Sequence, residues 1–284
     1  MTIKFGTDGW RAIIAEDFTF ANVQKCAQGV ASYIKGQKLT ECSVVIGYDT
    51  RFASEDFAAA VAEVIAGNNI PVYLFDKPSP TPVLSFSVVN RAATAGIMIT
   101  ASHNPAQWNG FKYRPSYGGS APTNVIDSLE QHITHDATHG KLLKGDLQEA
   151  RSSGLVSFFD PKQAYLNHLE NLLEINDLRT SGLNIVIDYM HGAGSEYLNQ
   201  ILQGDSTQVY ALREQRNPAF PDMSQPEPIA RNLKGLSTEV VKLHANVGLA
   251  FDGDADRLGV VDENGVYLNT LQVFALLAWY LLEF

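Results

Sequence analysis

Short apolar runs alternate with amphipathic stretches along this chain, and the alternation predicts α/β layers. Residues 43–48 (SVVIGY) form a β-branched run. Residues 54–66 carry Phe57, Val61, Val64 and Ile65 at helical spacing, with Ser54 placed to cap that helix and Gly67 to end it. Residues 72–75 predict the next strand, residues 82–91 a helix, and residues 95–100 a third, buried strand. Each strand runs into a polar loop: Asp49-Thr50-Arg51, Ser79-Pro80-Thr81 and Ser102-His103-Asn104. Open α/β sheets bind ligands beyond the carboxyl ends of their strands, so chemistry is expected in these loops.

The polar stretch 142–154 reads as a linker, and a second α/β unit follows it. It predicts a helix over 162–173, a strand over 184–188, and a Gly-rich turn (191–194) into a helix that ends before Gly204. A strand over 209–212 precedes an irregular, Pro- and Asn-rich loop (216–232). A short helix (237–245), a strand (247–251), a loop (252–257), a strand (258–261) and a turn at Glu263-Asn264-Gly265 complete it. Residues 270–284 predict a helix that is apolar on nearly every side and needs cover all round. Its cover is expected from a third domain that the chain only begins, or from a partner chain. The expected architecture is two consecutive α/β/α layered domains with mixed sheets, over 1–145 and 155–264, plus the start of a third over 265–284.

Composition narrows the function classes. The chain has 284 residues, 45% hydrophobic and 18% charged, which suits a folded protein of about two domains. Lys and Arg number 21 against 31 Asp and Glu, a net charge of −10, which argues against nucleic acid and anionic membranes as partners. A local Arg and Lys cluster still allows an anionic small molecule. Cys26 and Cys42 show no zinc-site or disulfide spacing and are expected to be reduced thiols. Residues 1–6 lack a signal-peptide core, and the apolar run 273–282 is about half the length of a bilayer span, so a cytoplasmic protein is expected.

Three motifs carry candidate chemistry. Asp252-Gly253-Asp254-Ala255-Asp256-Arg257 lies between two strands. Three carboxylates at alternate positions of one tight loop can converge on a hard cation, and oxygen-only ligands suit Mg²⁺. Gly253 permits a sharp backbone path. Arg257 adds a donor fork that fits phosphate. The second motif is Thr100-Ala101-Ser102-His103-Asn104-Pro105, where a strand-end serine with His and Asn donors can serve as nucleophile or phosphate carrier. Asn109-Gly110 reads as a turn, from which Lys112 can project toward Ser102. A lysine of lowered pKa is a general base, whereas alone Lys112 reads as a surface residue. The third set pairs Arg11, in Phe5-Gly6-Thr7-Asp8-Gly9-Trp10-Arg11, with Arg51. Glycine-rich turns beside arginines hold phosphate oxygens.

Taken together, FGTDGWR, TASHNP, NGFK and DGDADR, in this order and spacing, closely resemble the α-D-phosphohexomutase family. The resemblance covers almost the whole chain. It implies that Ser102 is the phosphorylated serine and that Asp252, Asp254, Asp256 and the Ser102 phosphoryl oxygens bind Mg²⁺. It further implies that Lys112 or His103 handles the hydroxyl proton, that Arg11 and Arg257 hold charge, and that Asn104 and Arg51 help to bind substrate. The implied reaction interconverts hexose 1-phosphate and hexose 6-phosphate through a hexose 1,6-bisphosphate. Members of the family have four domains, and no sugar-recognition or distal phosphate loop appears after Leu268, so little mutase turnover is expected of this chain alone. Two other readings stand beside it: a sugar-phosphate-binding or interaction protein without catalysis, and a slow Mg²⁺-dependent phosphatase.

Overall fold

In the computed structural model, which describes residues 3–6, 8–195, 197–204 and 206–283, the chain forms two α/β units, each built on its own mixed sheet. The first runs β1 (Trp10–Ile13), α1 (Phe20–Gly36), β2 (Val44–Tyr48), α2 (Ser54–Gly67), β3 (Val72–Phe75), α3 (Thr81–Asn90), β4 (Ala95–Ile99), β5 (Trp108–Pro115), α4 (Thr123–Thr138), α5 (Leu147–Ser152) and β6 (Val156–Phe159). The second runs α6 (Lys162–Leu172), α7 (Ile175–Thr180), β7 (Asn184–Asp188), α8 (Tyr197–Leu202), β8 (Gln208–Leu212), α9 (Lys234–Lys242), β9 (Val247–Phe251), β10 (Leu258–Asp262) and β11 (Tyr267–Leu268), and α10 (Thr270–Glu283) follows.

Strand order in the first sheet is β1-β5-β4-β2-β3-β6. The β4–β2, β2–β3 and β3–β6 pairs are parallel, and β1–β5 and β5–β4 are antiparallel. Every residue of β2 and β4 is buried, which is why both read as continuous apolar runs. The chain leaves β2 toward β3 and then crosses back to β4 on the other side of β2. The loops after β2 and β4 therefore part at a topological switch point. The second sheet, β11-β10-β9-β7-β8, repeats the device: β8 and β9 flank β7 on opposite sides, and both pair with it in parallel. The loops after β7 and β9 part there.

Several elements depart from expectation. Ser54 does not cap α2: Ala53, in left-handed backbone, holds the N-cap position, and the Ser54 hydroxyl donates to Asp49 Oδ1 at 2.8 Å. The stretch expected to be a linker contains α5, and β6 beyond it joins the first sheet beside β3. That strand thus lies on the far side of the boundary expected near 155. Asn109-Gly110 is not a turn but lies in the first half of β5, paired with β1. A Cβ on Gly110 would collide with the Thr100 carbonyl oxygen and lie 2.9 Å from that of Trp10, so glycine is required by close strand approach. Helix α9 begins three residues before its expected start and ends at Lys242. No residue of α10 is buried, and Leu282 is 86% exposed; Phe284, expected in this helix, lies outside the described residues. Cys26 and Cys42 are free thiols, the first buried. Among the described residues no helix is long and apolar enough to cross a membrane.

Candidate active site where two loops meet

Ser102 stands on the loop after β4 with φ +53, a left-handed conformation that costs a non-glycine residue roughly 1–2 kcal/mol. Two hydrogen bonds hold it there: its N–H donates to Thr100 Oγ1 at 2.8 Å, and its carbonyl accepts from Arg51 Nη2 at 2.7 Å. The strained turn aims the hydroxyl at the second unit, where Ser102 Oγ donates to Asp252 Oδ2 at 2.7 Å. His103 Nδ1 lies 3.2 Å from the same oxygen. Burial and the charges of Arg257 and Arg11 hold the His103 pKa below its ordinary value, so the ring is neutral at pH 7.

The Asp252–Arg257 loop follows β9. Asp252 Oδ1 accepts the N–H groups of Asp256 and Arg257, both at 3.0 Å, which folds the loop around one carboxylate. Gly253 has ordinary negative φ, so its role differs from the expected sharp turn. A Cβ there would sit 2.6 Å from the Ser102 carbonyl oxygen, and glycine lets the two loops touch. Thr81, at the start of α3, donates both its N–H and its hydroxyl to Asp254.

Lys112 on β5 reaches into the same space, fully buried. Its ammonium contacts Asp254 Oδ2 at 2.9 Å, Asp256 Oδ2 at 3.1 Å and Asp8 Oδ2 at 2.8 Å. Two expectations for Lys112 are overturned: it is not a surface residue, and its pKa is not lowered. Burial works against its charge, but the carboxylates of Asp254, Asp256 and Asp8 outweigh it and raise the pKa above the usual lysine value. Burial, Asp254 and Asp256 together push the Asp252 carboxyl well up. Burial alone would also raise Asp254, but the Lys112 ammonium and the Thr81 hydroxyl bring it below the usual carboxylate range.

This donor set fits a hard cation. One oxygen from each of Asp252, Asp254 and Asp256 lies within 4.8 Å of the others, the only such group of three among the described residues. Asp254 Oδ1 is buried with no hydrogen-bond partner, and burial together with Asp254 and Asp256 opposes ionisation of Asp252. A divalent cation would relieve both strains.

The expected phosphate-holding arginines are dispersed differently. Arg11 Nη1 donates to Asn104 Oδ1 at 2.7 Å, placing both beside the serine loop. Arg257 is half-exposed and pairs with Glu227 at 2.8 Å. Arg51 is the clear correction. Its side chain is fully buried, and its guanidinium donates to the carbonyl oxygens of Ser102, Asn104, Pro105 and Trp108, so it supports the loop from beneath and has no face left for substrate.

A strand-end serine poised against an aspartate triad with two buried members, each at the switch point of its own sheet, is matched by family resemblance. Residues 2–139 match the model of phosphoglucomutase/phosphomannomutase α/β/α domain I, and residues 163–265 match that of domain II. The chain belongs to the phosphoglucomutase/phosphomannomutase family. A Thermococcus gammatolerans protein named as a phosphoglucosamine mutase is 32% identical over 280 residues, covering 98% of this chain and 58% of that protein. A Staphylococcus aureus phosphoglucomutase is 32% identical over 298 residues, covering 99% of this chain and 52% of its own. A Thermus thermophilus structure named as a phosphomannomutase superposes with a TM-score of 0.87 at 32% identity, covering 99% of this chain and 61% of that one. The chain thus spans about half to three fifths of the length of these relatives.

Four contributors to this candidate site were not singled out from the sequence. Asp8 bridges Lys112, Arg114 and Arg11, Thr81 holds Asp254, Asp49 takes the Arg51 N–H at 2.9 Å, and Glu227 pairs with Arg257. Asp8, Asp49 and Thr81 lie inside stretches already singled out, FGTDGWR and two strand-end loops. No local signal marks Glu227. Thr7 of the first motif lies outside the described residues.

Proposed function

We propose that this chain carries the phosphoryl-transfer centre of a phosphohexomutase, with Ser102 as the group that takes and returns the phosphoryl unit. The observation that carries the reading is the Ser102 hydroxyl, held 2.7 Å from Asp252 of the triad and 3.2 Å from a neutral imidazole. Asp252, Asp254 and Asp256 would hold Mg²⁺ with an oxygen on Ser102, and a bound cation supplies neutralisation of phosphoryl charge.

The remaining steps fall to the chain's own residues. When a hexose 1,6-bisphosphate loads the chain, Ser102 Oγ forms a bond to phosphorus and the sugar-oxygen–phosphorus bond breaks. The Ser102 proton, which points to Asp252 in this structure, would turn to His103 Nδ1 when that carboxylate holds the cation, and the leaving sugar oxygen takes a proton from the imidazolium. In the reverse direction a sugar hydroxyl attacks phosphoserine, its proton goes to His103, and Ser102 Oγ recovers one. Lys112, held charged by three carboxylates, supplies positive charge rather than a base. Arg11 and Arg257 stand at the rim, where they can meet phosphate oxygens.

The substrate class is a hexose monophosphate exchanging with its bisphosphate. The test mixes phosphorylated chain, Mg²⁺ and hexose 1-phosphate and follows the products by phosphorus NMR. Hexose 1,6-bisphosphate is expected; inorganic phosphate as the sole product would replace this reading with a hydrolase.

A further inference from the structure

We propose that Arg216 and Phe220, on the loop after β8, are positioning residues that set the serine loop against the aspartate loop. The proposal rests on the reading of Ser102 as the phosphoryl carrier.

Arg51 is the link. Four backbone carbonyls of the serine loop converge on its guanidinium, from Ser102 (2.7 Å) and Asn104 (2.6 Å) to Pro105 (2.9 Å) and Trp108 (3.0 Å). Wherever Arg51 sits, that loop follows. Arg51 belongs to the first unit, yet the second unit grips it twice. The Arg216 guanidinium donates to the carbonyl oxygens of Thr50 at 3.0 Å and of Arg51 itself at 3.2 Å. Its two terminal nitrogens also clasp the Glu55 carboxylate in the first turn of α2, at 3.1 and 2.7 Å. From the other side, the Phe220 ring lies 5.1 Å from the Arg51 guanidinium carbon. Phe220 is buried and has φ +45, a conformation costly for a bulky aromatic. An Asn217 carbonyl accepting the Phe220 N–H at 3.0 Å helps to hold that turn.

The same second unit carries Asp252, Asp254 and Asp256. Thr81 and Lys112 hold the aspartate loop against the first unit, and the serine loop itself is tied to the second unit by the direct Ser102–Asp252 hydrogen bond and by the Arg216/Phe220 grip on Arg51. Phosphorylation removes the Ser102 hydroxyl proton and with it the first tie. The second tie is untouched by the chemistry, and it keeps the loop in register through both half-reactions.

The experiment uses the whole chain with Arg216→Ala and, separately, Phe220→Leu. Amide hydrogen exchange is read over residues 101–109, and Ser102 phosphorylation is titrated with glucose 1,6-bisphosphate and Mg²⁺. Each variant is expected to exchange faster over 101–109 than wild type while β2 and β4 stay protected. The maximal phosphorylation rate is expected to fall about tenfold to a hundredfold, the loss typical of a misplaced reacting group, with the half-saturating bisphosphate concentration unchanged. Unchanged exchange and rate in both variants overturns the proposal, as does a general loss of protection across the first sheet, which marks a merely structural role. A wild-type chain that takes up no phosphoryl group refutes the carrier reading instead, and the exchange measurement then decides the grip by itself.

Discussion

In the proposed phosphoryl transfer Ser102 and His103 act as a pair, and their neighbours set its pH behaviour. His103 must be neutral to accept a proton. Burial, Arg257 and Arg11 all depress its pKa, so the neutral form persists below the ordinary histidine value of 6.5. Phosphorylation of Ser102 is therefore expected to be flat with pH above 6.5 and to fall only in more acidic buffer. His103→Gln should slow it by about a hundredfold and erase that acidic limb. Arg257→Gln removes one of the depressing charges, so the limb should move to higher pH. A rate profile of the three chains checks both shifts. At this scale the sequence is informative where geometry is local: Ser102 and His103 stand together on a strand-end loop, and the three aspartates converge within one loop. Arg51 and Lys112 depart from expectation for one reason. Their partners lie far along the chain, and spacing alone cannot reveal that a charged side chain is buried on carbonyls or carboxylates.

At the scale of elements, strands buried on both faces were legible. Val44–Tyr48, Val72–Phe75, Ala95–Ile99 and Asn184–Asp188 are mainly apolar, almost wholly buried runs that need no context, and Val247–Phe251 is as apolar with alternate residues buried. β5 was not legible. Asn109, Lys112 and Arg114 interrupt its apolar pattern, and each is buried only because Ser54, Asp254 or Asp8 meets it from elsewhere. Helix α1 hides similarly, since its inner face includes Gln28 and Ser32, satisfied by Asn68 and Asp136. Gly110 shows how tightly β5 is packed. Gly110→Ala is expected to destabilise the fold by about 1–3 kcal/mol, the usual range for overpacking. Urea unfolding monitored by tryptophan fluorescence measures it, and a stability equal to wild type would mean that the strand gives way freely.

For the molecule as a whole, the decisive feature is that two switch points face each other. The first unit contributes Ser102, the proposed phosphoryl carrier, the second the carboxylates, and Lys112 crosses between them. Assembling the triad has a cost. Asp252 has a raised pKa, so at neutral pH, above its unfolded value, its ionised form opposes folding. Asp254 behaves oppositely: its depressed pKa contributes stability above the ordinary carboxylate value of 3.8 that is lost as pH falls. Asp252→Asn should therefore raise the melting temperature of the metal-free chain by a few degrees, on the order of 1 kcal/mol. Mg²⁺ should stabilise wild type, by about 2.7 kcal/mol at a hundredfold excess over Kd, and do little for the variant. Calorimetry with and without Mg²⁺ checks this, and equal Mg²⁺ stabilisation of both chains would remove the triad from cation binding. Such convergence of distant loops is the part least visible in sequence, because Ser102 and Asp252 are 150 positions apart and only the fold brings them within 2.7 Å.

The most direct test of the account is the intact mass and peptide map of the purified chain, before and after incubation with Mg²⁺ and glucose 1,6-bisphosphate. One added phosphoryl group, located on Ser102 and absent from Ser102→Ala, is the predicted result. A folded chain that stays unmodified under these conditions, or that carries the group on another residue, would contradict it.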